Sequence, residues 1–159
     1  MGHTTKRAEF SKLTPMKRLP LLFVLALTAC APAAQPLGAA KTIVMQPIGV
    51  LAGGKQSTVM GTVKILNFSN GRTQLEVQLS NVPVRTKHSG AIFKGSCNNR
   101  NSTPTILLPE ISGDERGVAQ LNTEVETAKL PVPGYIVFYQ RGRDEQGGIG
   151  DPVTCGDLR

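Results

Sequence analysis

The segment RTQLEVQLSNV, Arg72 to Val82, alternates polar and apolar residues strictly from Gln74 to Ser80. Side chains of an extended strand point to opposite faces in turn, so Leu75, Val77 and Leu79 share one face and Gln74, Glu76, Gln78 and Ser80 the other. One face is buried and one is wet, as in an antiparallel sheet. GVAQLNTEVE (117–126) obeys the same rule, with Ala119, Leu121, Thr123 and Val125 opposite Gln120, Asn122, Glu124 and Glu126. In STVMGTVKILNF (57–68), Val59, Gly61, Val63 and Ile65 share a face, and Ser69 to Gly71 then make a turn.

The remaining apolar stretches are also short. KTIVMQPIGVL opens at Lys41 and is cut by AGG; GAIFKG spans 90–95; TPTILLPEI (103–111) holds Pro109, which places it at an edge or bends it. GYIVFYQ (134–140) is apolar on both faces and reads as a central strand, and DPVTCGDL (151–158) is the last. No window carries a 3.6-residue period. Eight short strands with Gly, Pro and Asn turns predict an all-β domain over 41–159, a β-sandwich or flattened Greek-key barrel. That length suffices for one core and not two.

The N-terminus has a different character. Lys17 and Arg18 precede LPLLFVLALTAC, a basic region followed by a short apolar run and small residues. The run from Leu19 to Ala29 is shorter than the ~20 residues that span a bilayer. LTAC, Leu27 to Cys30, resembles a bacterial lipobox. The resemblance implies that 1–29 is a lipoprotein signal peptide, with Met16 an alternative start, and that Cys30 is acylated and anchors the chain in a membrane. An ordinary signal peptide with an incidental Cys30 is the competing reading. Ala31 to Ala40, APAAQPLGAA, reads as a flexible tether reaching at most about 33–36 Å. Localisation follows: the bacterial cell envelope, facing the periplasm or the exterior.

Charge needs correcting for this leader. The whole chain carries +7, but residues 1–29 hold five Lys/Arg and one acid, which leaves +3 for the rest. The remaining basic residues are scattered rather than interleaved with aromatics, which excludes a nucleic-acid footprint. Weak attraction to an anionic envelope surface is compatible with +3.

Three cysteines are present. With Cys30 lipidated, Cys97 and Cys155 remain as a pair in an oxidising compartment, and a disulfide is the economical inference. Two free buried thiols are the alternative; a zinc site would be half built, because no His ligands adjoin the pair.

HSGAIFKGSC (88–97), LPVPGYIVFYQ (130–140) and TCGDLR (154–159) together resemble segments of the copper/zinc superoxide dismutase family in its bacterial secreted form. The resemblance implies an eight-stranded Greek-key barrel with one disulfide joining the first and third segments, in agreement with the cysteine count. It does not carry the chemistry. The first two copper ligands of the family fall at Ala91 and Phe93, a later copper His at Tyr139 or Gln140, and the guiding arginine near Pro152. The zinc loop corresponds to Asn98–Thr105, without His or Asp. His3 lies in the leader, so His88 is the one histidine left, and a copper centre needs several.

No catalytic residue and no cofactor are therefore expected, with copper or zinc the alternative. His88 is a weak metal candidate, read otherwise as a surface or loop histidine. Met45 and Met60 read as core filler rather than Cu(I) ligands. Asp144, Glu145, Asp151 and Asp157 read as solvated carboxylates rather than a divalent-ion loop. A lone His leaves no credible Ser-His-Asp set, and AGGK (52–55) reads as a hairpin turn, not a phosphate loop. Arg141, Arg143, Asp144 and Glu145, in the polar Gly-rich segment 141–152, form a possible partner loop. The function expected is that of a non-catalytic, dismutase-like envelope lipoprotein that binds an unknown protein or small molecule, or is structural. The alternative is an oxidant-defence member of that family retaining metal at a different site or through ligands shared between copies. A chordin-type repeat sandwich is a third reading.

Overall fold

In the computed structural model, residues 33–51 and 54–158 are described. The leader, Met16 and Cys30 lie outside them, as do Ala52 and Gly53 of AGGK. Leu51 N donates to the Lys55 carbonyl at 2.7 Å, which closes a turn there.

Eight strands follow one another: β1 Lys41–Pro47, β2 Met60–Asn67, β3 Arg72–Ser80, β4 Lys87–Lys94, β5 Ile106–Ser112, β6 Val118–Glu126, β7 Gly134–Tyr139 and β8 Pro152–Leu158, with one 3-10 turn at Thr127–Lys129. All neighbours are antiparallel, in the order β5-β4-β7-β8-β1-β2-β3-β6. The edge strands β5 and β6 come back beside each other without a hydrogen-bonded ladder. The result is an all-β, nearly closed barrel. Its connections β3–β4 and β6–β7 join strands that are not neighbours, as in Greek-key architectures.

The alternation sets which face is buried. Along β3, Leu75, Val77 and Leu79 point into the core. Across the register, Leu79 meets Ala119 and Gly61, and Val77 meets Val63 and Leu121. β7 lies between β4 and β8 and is buried on both faces: Ile136 and Phe138 enter the barrel core, whereas Tyr135 and Val137 belong to a second apolar cluster. Pro109 sits in edge strand β5, where its missing N–H breaks no ladder. Gly90 is required by packing, because a Cβ there would stand 2.5 Å from Cε1 of Phe138. Gly71 closes the β2–β3 turn at φ +75°, where a side chain is strained.

Successive strands run in opposite directions, which gives the barrel two ends. The start of β1, the β2–β3 turn, the β4–β5 loop, the β6–β7 crossover and the end of β8 share the lower end. The other four connections share the upper end. Two sequence expectations differ from what is found. β4 begins at Lys87 rather than Gly90, with a register irregularity between His88 and Gly90. Residues 35–37, expected in a free tether, are bonded to the β2–β3 turn: Leu37 N donates to Asn67 O at 2.7 Å and Ser69 N to Gln35 O at 2.8 Å. Ala33–Arg159 group as one compact unit.

Candidate functional site

The outer face of β4–β7–β8 is where the dismutase resemblance would put metal. Its outward positions come from strict alternation: Ala91 and Phe93 on β4, Tyr135, Val137 and Tyr139 on β7, and Cys155 on β8. Ala91 pairs with Val137, Phe93 with Tyr135, and Val137 with Cys155. These residues form an apolar cluster joined by Ile48 and Cys97 at its margin. The Phe93 and Tyr135 rings stack with centroids 5.2 Å apart and planes inclined by 13°. The Tyr135 hydroxyl accepts from Asn101 N at 2.7 Å and reaches the Asn101 carbonyl at 3.2 Å.

The β4–β5 loop is drawn over this cluster at a second point. Sγ of Cys97 is bonded to Sγ of Cys155, with Cα atoms 5.9 Å apart. Asp157 Oδ1 accepts from Cys97 N at 2.7 Å. A groove of about 360 Å³ runs beside the bridge, lined by Ile43, Gln46, Ile48, Asn98 and Asp157 among others. Burial pushes the Tyr139 phenol up, Tyr135 pushes it the same way, and Arg100 acts against both. That phenol stays protonated at neutral pH and offers no anionic ligand.

His88 is not on this face and not on the surface. It is 1% exposed. Its Nδ1 lies 2.9 Å from the Tyr139 carbonyl oxygen, an acceptor only, so Nδ1 carries a proton. Its Nε2 lies 2.8 Å from Oγ1 of Thr86, whose hydroxyl also reaches the Pro83 carbonyl at 2.7 Å. Both ring nitrogens are engaged with the protein's own backbone and hydroxyl groups. The surface or loop reading of His88 is corrected: it is a core histidine that ties β4 to β7 and to the β3–β4 connection.

The residues do not fit the metals of the dismutase family. Ala91 and Phe93 have no donor atom, and the single buried imidazole is already bonded on both sides. Among the described residues, no group of three or more His, Cys, Asp or Glu side chains converges in a way that could hold a metal ion. Met45 is fully buried in the barrel core and Met60 is exposed, so the two thioethers are not brought together as a pair of ligands on one face.

The predicted partner loop is fastened inward. Arg141 donates from its terminal nitrogens to the carbonyls of Gln146 and Gly147 at 3.1 and 3.0 Å, so the loop wraps its guanidinium. Arg143 Nη2 reaches the carbonyls of Leu108 and Gly90 at 2.6 and 3.3 Å, where β4 is irregular. Glu110 accepts from the backbone N–H of Arg143 and, at 3.3 Å, from Ser89 Oγ. The Arg143 backbone bond is the main reason the Glu110 carboxyl sits below the usual range; partial burial works against it, and Ser89, Lys87 and the Arg143 charge assist. Glu145 accepts from Gly142 N at 3.3 Å. Asp144 is exposed at the loop tip. Sequence reasoning missed Glu110 and Ser89 as the loop's anchors; a lone carboxylate on an edge strand carried no signal. Neither a family model nor a curated protein matches the chain.

Proposed function

We propose that this protein is a non-catalytic member of the copper/zinc superoxide dismutase-like β-barrels, held at the bacterial cell envelope by lipid on Cys30, with a binding or structural role. The observation that carries this reading is the filled outer face of β4–β7–β8. Ala91 and Phe93 stand where a dismutase-like barrel would need its first two imidazoles, and they are packed against Val137 and a stacked Tyr135. Support for the barrel class comes from the eight-strand antiparallel order with its two crossovers, and from the Cys97–Cys155 bridge between the end of β4 and β8. Support for the anchor comes from the LTAC sequence alone. The loop tip at Asp144 and the groove beside the disulfide are two surfaces open to a protein or small-molecule partner.

The test is metal stoichiometry. The mature protein is loaded with copper and zinc, dialysed and measured by elemental mass spectrometry. Retention close to zero is expected. One equivalent of either metal per chain, held through dialysis, overturns the non-catalytic reading and favours oxidant defence at a site unlike the family's.

A further inference from the structure

We infer that the lower end of the barrel faces an anionic lipid bilayer, and that the upper end, with the 140–151 loop, is presented away from it. This rests on the proposed lipid at Cys30 and adds which part of the domain the membrane meets. The carrying observation is the bonded segment 35–37. Gln35 receives a bond from Ser69 N through its carbonyl, and its own N–H donates to Ser69 Oγ at 3.1 Å. Pro36 bridges Phe68, and Leu37 N donates to Asn67 O. The chain is therefore fixed to the β2–β3 turn from Gln35 onward.

Only Ala31 to Ala34 separate Cys30 from that fixed point. The five residue steps from Cys30 to Gln35 reach at most about 17–18 Å at full extension, whatever their conformation. The strands run seven to nine residues in most cases, about 23–30 Å at ~3.3 Å per residue. A lipid at Cys30 thus holds the lower end near the headgroups. The spacer is too short for an upright barrel to turn over and bring its upper end there.

Charge favours the upright arrangement over a barrel lying on its side. At the lower end, Lys41, Arg72, Lys94 and Lys129 outnumber Glu124, Glu126 and Asp157. Arg72 is paired with Glu124 and Lys129 with Glu126, whereas Lys41 and Lys94 are exposed and have no ion-pair partner among the described residues. The upper end carries as many acids as cations. The long polar flank is self-paired through Lys64 and Glu76. Leu37 and Val132, 64% and 88% exposed, add apolar side chains at the lower end, where they can enter the headgroup region. Each unpaired cation held near an anionic surface is worth roughly a fivefold gain in affinity.

The test uses the full lipoprotein in vesicles of phosphatidylethanolamine with phosphatidylglycerol. Lysines are acetylated by a membrane-impermeant reagent and read by peptide mass spectrometry. Each rate is normalised to the vesicle-free chain carrying Cys30→Ser. Lys41, Lys94 and Lys129 are expected to slow severalfold, while Lys55 and Lys87 at the upper end keep their rates. Intact mass of the mature chain is read in the same sample. No lipid on Cys30 sinks the anchoring proposal and this inference with it. Lipid on Cys30 with equal rates at both ends sinks this inference alone. A second variant with about ten Gly/Ser residues inserted after Pro32 lengthens the reach past the barrel's own length. It should lose most of the difference between the ends; unchanged protection there would show that the short spacer does not set the orientation.

Discussion

Removing the Cys97–Cys155 bridge should lower the stability of the barrel more than any other pair of substitutions outside its core. The bond closes a loop with a sequence separation of 58. Constraining a loop of that length in the denatured chain stabilises the fold by about 4 kcal/mol from chain entropy. Cys155 is 2% exposed, so Ala in its place also forfeits sulfur packing in the outer cluster, about 1 kcal/mol more. For a unit the size of Ala33–Arg159, about 5 kcal/mol corresponds to a fall in Tm of roughly 20 °C. The assay is calorimetry and urea unfolding of Cys97→Ala/Cys155→Ala beside the parent. Substitution is preferred to reductant because the buried Cys155 sulfur is poorly placed for thiol attack in the folded state. The urea slope should also steepen, since the released chain exposes more surface on unfolding. A change in Tm below about 3 °C with an unchanged slope would refute the account.

Two further outcomes follow from the geometry. His88→Ala removes a buried side chain and strands the Tyr139 carbonyl and the Thr86 hydroxyl, so a loss of about 3 kcal/mol is expected in urea unfolding; a loss under about 0.5 kcal/mol would show that His88 is not a structural tie. Glu110 has its carboxyl lowered from 4.5 by the Arg143 backbone bond. A lowered folded-state value means the fastening is complete above 4.5 and is lost as pH falls through the folded value. Protection of the 141–150 amides, with the intrinsic pH dependence of exchange divided out, should therefore fall as pH drops through the folded value, and in Glu110→Gln it should be low already at about pH 6; equal protection in both proteins would sink the assignment.

Much of the barrel was legible because antiparallel strands with one wet face write their burial into every second residue. The faces of β3 and β6 follow the alternation as expected, and GYIVFYQ, apolar on both sides, is the central strand β7. Its double-sided pattern was also the signal for a second cluster outside the barrel, since Tyr135 and Val137 needed cover as much as Ile136 and Phe138 did. What alternation could not show was polar residues satisfied by backbone. His88 and Ser89 look like the end of a loop, yet both are buried, because carbonyls of distant segments meet them. Residues 35–37 fail as a tether for the same reason: main-chain groups of Gln35 and Leu37 find partners at the β2–β3 turn, and no side-chain pattern announces a bond between backbones. The predicted partner loop is similar. Arg141 and Arg143 are strongly polar in sequence, but terminal nitrogens of both meet carbonyls within the protein, and Nε of Arg141 is buried without a partner among the described residues.

These two kinds of error share a cause that bears on what the outer face can do. An eight-stranded barrel needs its interior filled, but the outer side of β4–β7–β8 is buried as well, under the 95–101 loop, and so had to be filled with something. A metal centre and its histidines are one filling, held by bonds that also order the covering loop. Here the loop is ordered by three other fastenings: the disulfide, Asp157 on the Cys97 amide, and Tyr135 on Asn101. None of them requires a metal, and Phe93 stacked on Tyr135 occupies the space beneath. Placing imidazoles at Ala91 and Phe93 would thus not suffice to build a site. It would bury polar rings under a loop already closed, remove the stack, and leave β7 without the third ligand. The double substitution should destabilise the barrel by a few kcal/mol while gaining no tight copper.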